Sequence, residues 1–263
     1  MTNTIAYITD DNYVGYTLFS LKSLLKHVKD DINIYIICNS VSEANKRKLE
    51  IDGRINLIDY NGKDAKRFPG RRYLTNTMFI KFELPNILNV DTCLYLDGDT
   101  IVVKDISELL DFDVSDNIAA VVKDFGEAYI WMPMNATKRG LTFNCGVMLF
   151  NLKKMREENY TERLYSKRSS MTSSGISDQE VFNFVFIDNV SYLSPKFNVS
   201  MDKIKYDEHK EFRDIELYNK LHNTKYPNID VLLNDAAILH FHGDKKIIYS
   251  KPYIKKLLQT INN

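Results

Sequence analysis

Ile5-Ala6-Tyr7-Ile8-Thr9, the polar turn Asp10-Asp11-Asn12-Tyr13, a helical stretch to about His27, and Ile34-Tyr35-Ile36-Ile37-Cys38 form the part of the chain that decides its fold. The helical stretch carries Leu18, Leu21, Leu24, Leu25 and Val28 on one stripe, the spacing of a surface helix with one face in a core. The run Ile34 to Cys38 is nearly continuous in apolar residues, as expected of a strand covered on both faces. A second unit follows at once: Ser42-Glu43-Ala44-Asn45 opens a helix and Ile55-Asn56-Leu57-Ile58-Asp59 reads as a third strand. Strand, helix and strand in this alternation predict an α/β fold with a mainly parallel central sheet flanked by helices.

Farther along, Asn61 to Arg72 reads as a loop, Phe79 to Leu88 as a helix, and Leu94-Tyr95-Leu96 as a strand running into Asp97-Gly98-Asp99-Thr100. Ile118 to Val122 and Cys145 to Phe150 look like strands, Leu152 to Lys167 and Asp178 to Phe186 like helices, and Ala236 to Phe241 like a last buried strand. The patch Ser169 to Gly175 is too short for a domain linker and reads as a mobile surface loop. One domain over 1–263 is therefore expected, with variable insertions at Asp124 to Thr142 and Asn198 to Asn234.

Composition narrows the function classes. With 35 basic and 35 acidic residues the net charge is zero, which leaves no electrostatic footprint for nucleic acid. No basic leader or apolar run of about 18–20 residues is present, so a cytoplasmic protein is expected. Cys38, Cys93 and Cys145 lack the short paired spacing of a zinc site and sit in apolar runs, as reduced core thiols do. Five lysines between Lys245 and Lys256 read as a solvated basic face, with peripheral contact at the inner membrane face as the alternative.

Polar clusters at strand ends carry the chemistry, because ligands of open parallel sheets bind there. Asp97 and Asp99 are expected on one face of an extended segment, where two hard oxygen donors need a cation. Gly98 between them would let a bulky ligand approach the backbone. In Asp10-Asp11-Asn12-Tyr13 a carboxylate can accept from a base, Asn12 can bond a ribose and the Tyr13 ring can stack; a helix cap explains the same residues. Around the strand from Phe143 to Leu152, Asn144 suits sugar hydroxyls and Gly146 leaves room for a ring, or the two mark a β-bulge. Ser177-Asp178-Gln179-Glu180 is either a capping box or a pair of substrate contacts at a helix start. His240-Phe241-His242-Gly243-Asp244-Lys245-Lys246 joins an imidazole to a glycine and two cations, which suits an anion. An imidazole joined to two carboxylates suits Mn²⁺ better than Ca²⁺, with Mg²⁺ as the alternative.

In order and spacing these segments resemble the retaining glycosyltransferases of family 8, the group with glycogenin and the bacterial lipopolysaccharide galactosyl- and glucosyltransferases. The resemblance runs from Ile5 to about Tyr253. It implies a GT-A fold with a nucleotide-binding half over 1–123 and a sugar and acceptor half over 124–263. It also implies a UDP-hexose donor, glucose or galactose, a saccharide acceptor, and a metal held by Asp97, Asp99 and His240. The Ile8 backbone with Asp10, Asn12 and Tyr13 would hold uridine. Gly243 with Lys246 or Lys251 would hold the diphosphate, the first by counting from His240 and the second by the motif Lys251-Pro252-Tyr253. Asp124, Asn144, Cys145, Gly146, Asp178 and Gln179 would surround the donor sugar. Three departures stand out: Lys81 where the family often has arginine, Cys145 where alanine or serine is usual, and Lys251-Pro252-Tyr253, several residues late, where the family closes on Lys-Pro-Trp.

The implied chemistry is transfer with retention, for which Gln179, Asp178 and Asn144 are the residues to test. Asp178 is the candidate nucleophile, but a neutral amide nearest the sugar's far face, Gln179, favours same-face attack. Rival readings are a non-catalytic sugar-nucleotide-binding module and self-glucosylation on one of the 16 tyrosines. A phosphatase of the Asp-x-Asp-x-Thr type fails, because Ile101 holds the place its threonine requires. Oligomeric state is not legible.

Overall fold

The computed structural model describes residues 3–29, 31–68, 76–124, 141–171, 176–201 and 215–242. Strand β1 (Asn3–Asp10) lies parallel to β2 (Ile32–Asn39) over its whole length, with helix α1 (Val14–Leu25) as the crossover. Helix α2 (Glu43–Leu49) leads into β3 (Ile55–Asp59), parallel to β2, as the alternation predicts. The expected helix over Phe79 to Leu88 is instead a 3₁₀ segment, Asn76–Glu83, followed by one short turn, α3 (Leu84–Ile87). Pro85 lacks the N–H an α-helix interior requires, and it sits in that first turn.

Strand β4 (Thr92–Leu96) inserts beside β1, and β5 (Thr100–Val102) leaves the sheet after a tight turn. Past α4 (Ser107–Leu110) come β6 (Ala119–Lys123) and β7 (Phe143–Asn151). The helix expected from Leu152 to Lys167 is two helices, α5 (Leu152–Glu157) and α6 (Tyr160–Ser170), because Asn159 takes a left-handed conformation between them. Helix α7 (Asp178–Phe186) and β8 (Val190–Tyr192) complete the large sheet, ordered β3-β2-β1-β4-β7-β6-β8 with β7 antiparallel to its neighbours. A second sheet joins β5, β10 (Ile238–His240) and β9 (Val199–Ser200), backed by α8 (Ile215–His222) and α9 (Ile229–Asp235).

Both faces of the large sheet are buried. Ala6, Ile8, Cys93 and Tyr95 enter one core and Ile5, Tyr7, Leu94 and Leu96 the other, the alternation a pleated strand imposes. That two-sided burial explains why the central strands read as near-continuous apolar runs. Along the chain β1 is followed by β2 and β3 on one side, whereas β4 pairs on the other. The strand order thus reverses between β1 and β4, and the crevice at the carboxyl ends of such a pair is where an open α/β sheet binds ligands. Asp10 ends β1 and Asp97 directly follows β4.

Candidate active site

Asp97 and Asp99 do not lie on a strand, as the alternation argument assumed. They belong to a turn between β4 and β5, closed by the Thr100 N–H to Asp97 O at 3.1 Å and by the Thr100 hydroxyl to the same oxygen at 2.8 Å. The turn, not the pleat, brings the carboxylates together. Gly98 also has another reason: a Cβ there would meet Thr17 Oγ1 at 2.5 Å and the Tyr13 ring at 3.1 Å, so glycine lets α1 pack on the turn.

His240 arrives through sheet register. It stands opposite Thr100 in the antiparallel pairing of β10 with β5, and the Phe241 N–H donates to Asp99 O at 2.9 Å. Its Nε2 then lies 3.3 Å from Asp99 Oδ1 and 3.7 Å from Asp97 Oδ2. One ligand atom from each of the three residues falls within 4.8 Å of the others. Two carboxylates and an imidazole form a mixed oxygen and nitrogen donor set that fits Mn²⁺ or Mg²⁺.

A bulge in β7 shapes the floor beneath this triad. Phe143 and Cys145 share one core with Met148 and Phe150, a change of parity that regular alternation forbids, and the pairing with β6 shifts between Val121 and Val122. Gly146 sits in the irregularity, and its carbonyl accepts from Asp97 N at 2.7 Å. A Cβ on Gly146 would clash with the His240 ring and stand 2.8 Å from Asp97 Oδ2. The bulge and the glycine are therefore one feature, and what the missing side chain makes room for is the histidine.

Below the triad lies a buried charged cluster. Lys81 Nζ, only 3% exposed, is 3.2 Å from Asp97 Oδ1 and forms a shorter ion pair with Asp178. The Tyr95 hydroxyl donates to Asp97 Oδ1 at 2.6 Å, and the Cys145 thiol donates to Asp178 at 3.3 Å. Burial pushes Asp97 upward, but Lys81, His240 and Tyr95 outweigh it and hold the carboxyl below its ordinary range. At Asp178 burial prevails over Lys81, and the carboxyl is raised. Burial works against the Lys81 charge, yet Asp178 and Asp97 overcome it and keep the ammonium protonated.

At the ends of β1 and β2, Asp10 accepts from Asn12 N at 3.1 Å and from the Thr77 hydroxyl at 3.1 Å, while Asn39 donates to Thr77 at 2.8 Å. Asp11 instead accepts from Ser42 N and from the Asn45 side-chain amide at the start of α2, so it ties the turn to α2; the capping alternative is not realised, because α1 has Tyr13 at its N-cap and no side-chain cap bond. Tyr13 donates to Asp99 Oδ2 at 2.8 Å and so links this pocket to the triad. On the far side, Asn144 donates to Gln179 Oε1 at 3.0 Å, and Gln179 donates to Asp124 at 3.1 Å. The capping box forms as well, with Ser177 N donating to Glu180 at 2.8 Å, so that one helix start both caps itself and sets Asp178 against Lys81 and Gln179 against Asn144.

The model of the Glycosyl transferase family 8 matches residues 4–247. The chain belongs to that family. General stress protein A of Bacillus subtilis is 24% identical over 258 residues, 92% of this chain and 86% of that protein. The Escherichia coli lipopolysaccharide 1,2-glucosyltransferase is 27% identical over 258 residues, 92% of this chain and 71% of its own. Pneumococcal GlyB is longer: the 229 matched residues, 25% identical, cover 83% of this chain and 54% of GlyB. Among solved structures, the galactosyltransferase LgtC in complex with donor and acceptor sugar analogs superposes with a TM-score of 0.73 at 24% identity, covering 99% of this chain and 96% of LgtC. An active-site glutamine-to-glutamate mutant of LgtC gives 0.76 at 23% identity, covering 98% and 95%. The fold of this family 8 chain is GT-A, the α/β class expected from the sequence.

In this family 8 chain the structure brings together Asp10, Asn12, Tyr13, Lys81, Asp97, Gly98, Asp99, Asp124, Asn144, Cys145, Gly146, Asp178, Gln179 and His240 in one chain of contacts, and Ile8 lies in β1 two residues before Asp10. Gly243, Lys246 and Lys251 lie outside the described residues, as do Thr172 to Gly175 of the serine-rich patch. Sequence reasoning missed Thr77, Tyr95 and Asn198 as members of the site. Tyr95 read as core because it lies on an apolar strand. Asn198 read as the edge of an insertion, yet it accepts from His240 Nδ1 at 3.0 Å.

Proposed function

We propose that this glycosyltransferase moves a hexose, glucose or galactose, from UDP to a saccharide acceptor of cell-surface or lipopolysaccharide type, with retention of anomeric configuration and with a divalent metal, Mn²⁺ or Mg²⁺. The observation that carries the reading is the Asp97, Asp99 and His240 triad at the strand-order reversal, with a polar pocket at Asp10 on one side and an amide cluster at Asn144 and Gln179 on the other. The bacterial lipopolysaccharide 1,2-glucosyltransferase and the galactosyltransferase with bound sugar analogs support the substrate class.

A divalent ion held by the triad would supply charge neutralisation for the departing diphosphate. Ile8, Asp10, Asn12 and Tyr13 would orient the uridine, and Gly243 with Lys246 or Lys251 the diphosphate. Asp124, Asn144, Cys145, Gly146 and Gln179 would line the donor sugar. Asp178 is buried against Lys81 and Cys145, which supports same-face attack over a covalent sugar ester. In that step the bond from C1 to the diphosphate oxygen breaks, the acceptor oxygen bonds to C1 from the same face, and the acceptor proton passes to the diphosphate. One catalytic domain over 1–263, its halves meeting at residue 123, and a cytoplasmic site with peripheral membrane contact complete the proposal. Among the described residues no helix is long and apolar enough to cross a membrane.

A panel of UDP-sugars, with and without Mn²⁺, tests it. Mn²⁺-dependent hydrolysis of UDP-glucose or UDP-galactose is expected. Hydrolysis of no UDP-sugar, together with no metal-dependent UDP binding, would overturn it.

A further inference from the structure

Two backbone N–H groups in the β7 bulge set the direction of a chain of side-chain amides. The Gly146 N–H donates to Asn144 Oδ1 at 2.9 Å, so that atom of Asn144 must be the oxygen. Asn198 faces the same oxygen at 2.9 Å and must present its NH₂ there, which leaves Asn198 Oδ1 turned toward His240 Nδ1, 3.0 Å away. A carbonyl oxygen only accepts, so Nδ1 must carry the hydrogen. At the other end the Cys145 N–H donates to Gln179 Oε1 at 3.3 Å, and the amide of Asn144 donates to the same oxygen at 3.0 Å. Gln179 then offers its NH₂ to the Asp124 carboxylate at 3.1 Å. Every hydrogen bond from His240 through Asn198, Asn144 and Gln179 to Asp124 points the same way, and aligned bonds of this kind polarise one another.

We propose that Asn198 is a positioning residue that fixes Nδ1 of His240 as the protonated nitrogen, so that Nε2 faces Asp97 and Asp99, and that it couples this histidine to the amides on the sugar side. Asn198 is 6% exposed and immediately precedes β9, whose Ser200 pairs with His240, so the sheet register holds it beside the ring. Partners that orient a metal-binding imidazole commonly change metal affinity by 10–100-fold when removed. The coupling also assigns separate roles to the two ends of one side chain. The oxygen of Asn198 serves His240, and its NH₂ serves Asn144.

The inference rests on the proposed metal site, and three variants separate the two. The measurements are ¹⁵N chemical shifts of the His240 ring in the full-length protein without and with Mg²⁺, Mn²⁺ affinity by calorimetry, and KM and kcat for UDP-sugar hydrolysis. In the parent, Nδ1 keeps its proton in both conditions. Asn198→Leu loses that fixed assignment and binds Mn²⁺ about 10–100-fold more weakly. Asn198→Asp retains an acceptor for Nδ1 but no donor for Asn144; it keeps the Nδ1 proton and near-parental Mn²⁺ affinity while KM for the UDP-sugar rises or kcat falls. A bare Nδ1 in the parent overturns the proposal, and if Asn198→Leu does not fold, this measurement and Asn198→Asp still decide. Unchanged ring shifts and Mn²⁺ affinity in Asn198→Leu, with Mn²⁺ binding abolished in His240→Ala, defeat the role of Asn198 and leave the metal site standing. Parental Mn²⁺ binding in His240→Ala defeats the metal site itself.

Discussion

Gly146 and His240 occupy space that only one of them can fill: a Cβ on the glycine would press into the imidazole and come within 2.8 Å of its Nε2. Ring and backbone come from β10 and β7, which belong to different sheets, so the fit can form only once both sheets have folded and docked. Gly146→Ala is expected to destabilise the protein by about 1–3 kcal/mol through overpacking, and to weaken Mn²⁺ binding by displacing the ring. Urea unfolding and Mn²⁺ calorimetry on the same preparation check both; an alanine variant with parental values for each would refute the relationship.

Asp99 takes part in the triad through Oδ1 and is held by Tyr13 through Oδ2. Asp99→Ala should abolish UDP-sugar hydrolysis, and excess Mn²⁺ should not restore it, because one proposed ligand atom and the Tyr13 link to the proposed nucleoside pocket are lost together. Near-normal turnover would sink the metal assignment.

Lys81 separates the half-buried carboxylate of Asp97 from the buried one of Asp178. Lys81→Met is expected to cost about 3–5 kcal/mol, the penalty for leaving a buried charge uncompensated. Asp178→Asn added to Lys81→Met should recover part of that loss. Equilibrium unfolding of the parent, both single variants and the double variant measures the coupling, and purely additive losses would show that the lysine is not balancing Asp178.

His222, at the end of α8, titrates at about 4 instead of the ordinary 6.5 because burial disfavours its charge, with Lys123 adding to the effect and Asp124 opposing it. Between those values the unfolded chain takes up a proton that the folded chain refuses. The contribution to stability is therefore full above pH 6.5 and is lost as the pH falls through about 4. A loss of roughly 2–3 kcal/mol across that window is expected from this residue. His222→Phe should flatten that part of the pH profile in urea titrations at pH 7 and 4.5, and an unchanged slope would exclude the residue as its source.

The sheet was legible because its determinants are local. Ile5 to Thr9 and Ile34 to Cys38 are apolar on both faces, and burial on both faces is what the parallel strands then show. The 3₁₀ segment over Asn76–Glu83 and the break at Asn159 escape such a reading because hydrophobic spacing runs on through local punctuation, Pro85 in the first turn of α3 and Asn159 in a left-handed conformation. The acidic turn, the glycine of the bulge and the histidine could each be recognised as polar punctuation at a strand end. Their reasons could not: Gly98 yields to Thr17 and Gly146 to His240, contacts between residues 81 and 94 positions apart.

By itself the sequence determined the alternating strands and helices, the polar residues from which a metal and sugar-nucleotide site is proposed, and the resemblance to a family, because composition, periodicity and motif order are properties of the chain. Tertiary structure alone decided that Asp97 and Asp99 converge through a turn, that Lys81 lies between Asp97 and Asp178, and that Asn198 meets His240. The first is a local turn that hydrophobic alternation does not reveal; the other two join residues 16 to 97 positions apart and exist only once the sheets have paired and packed.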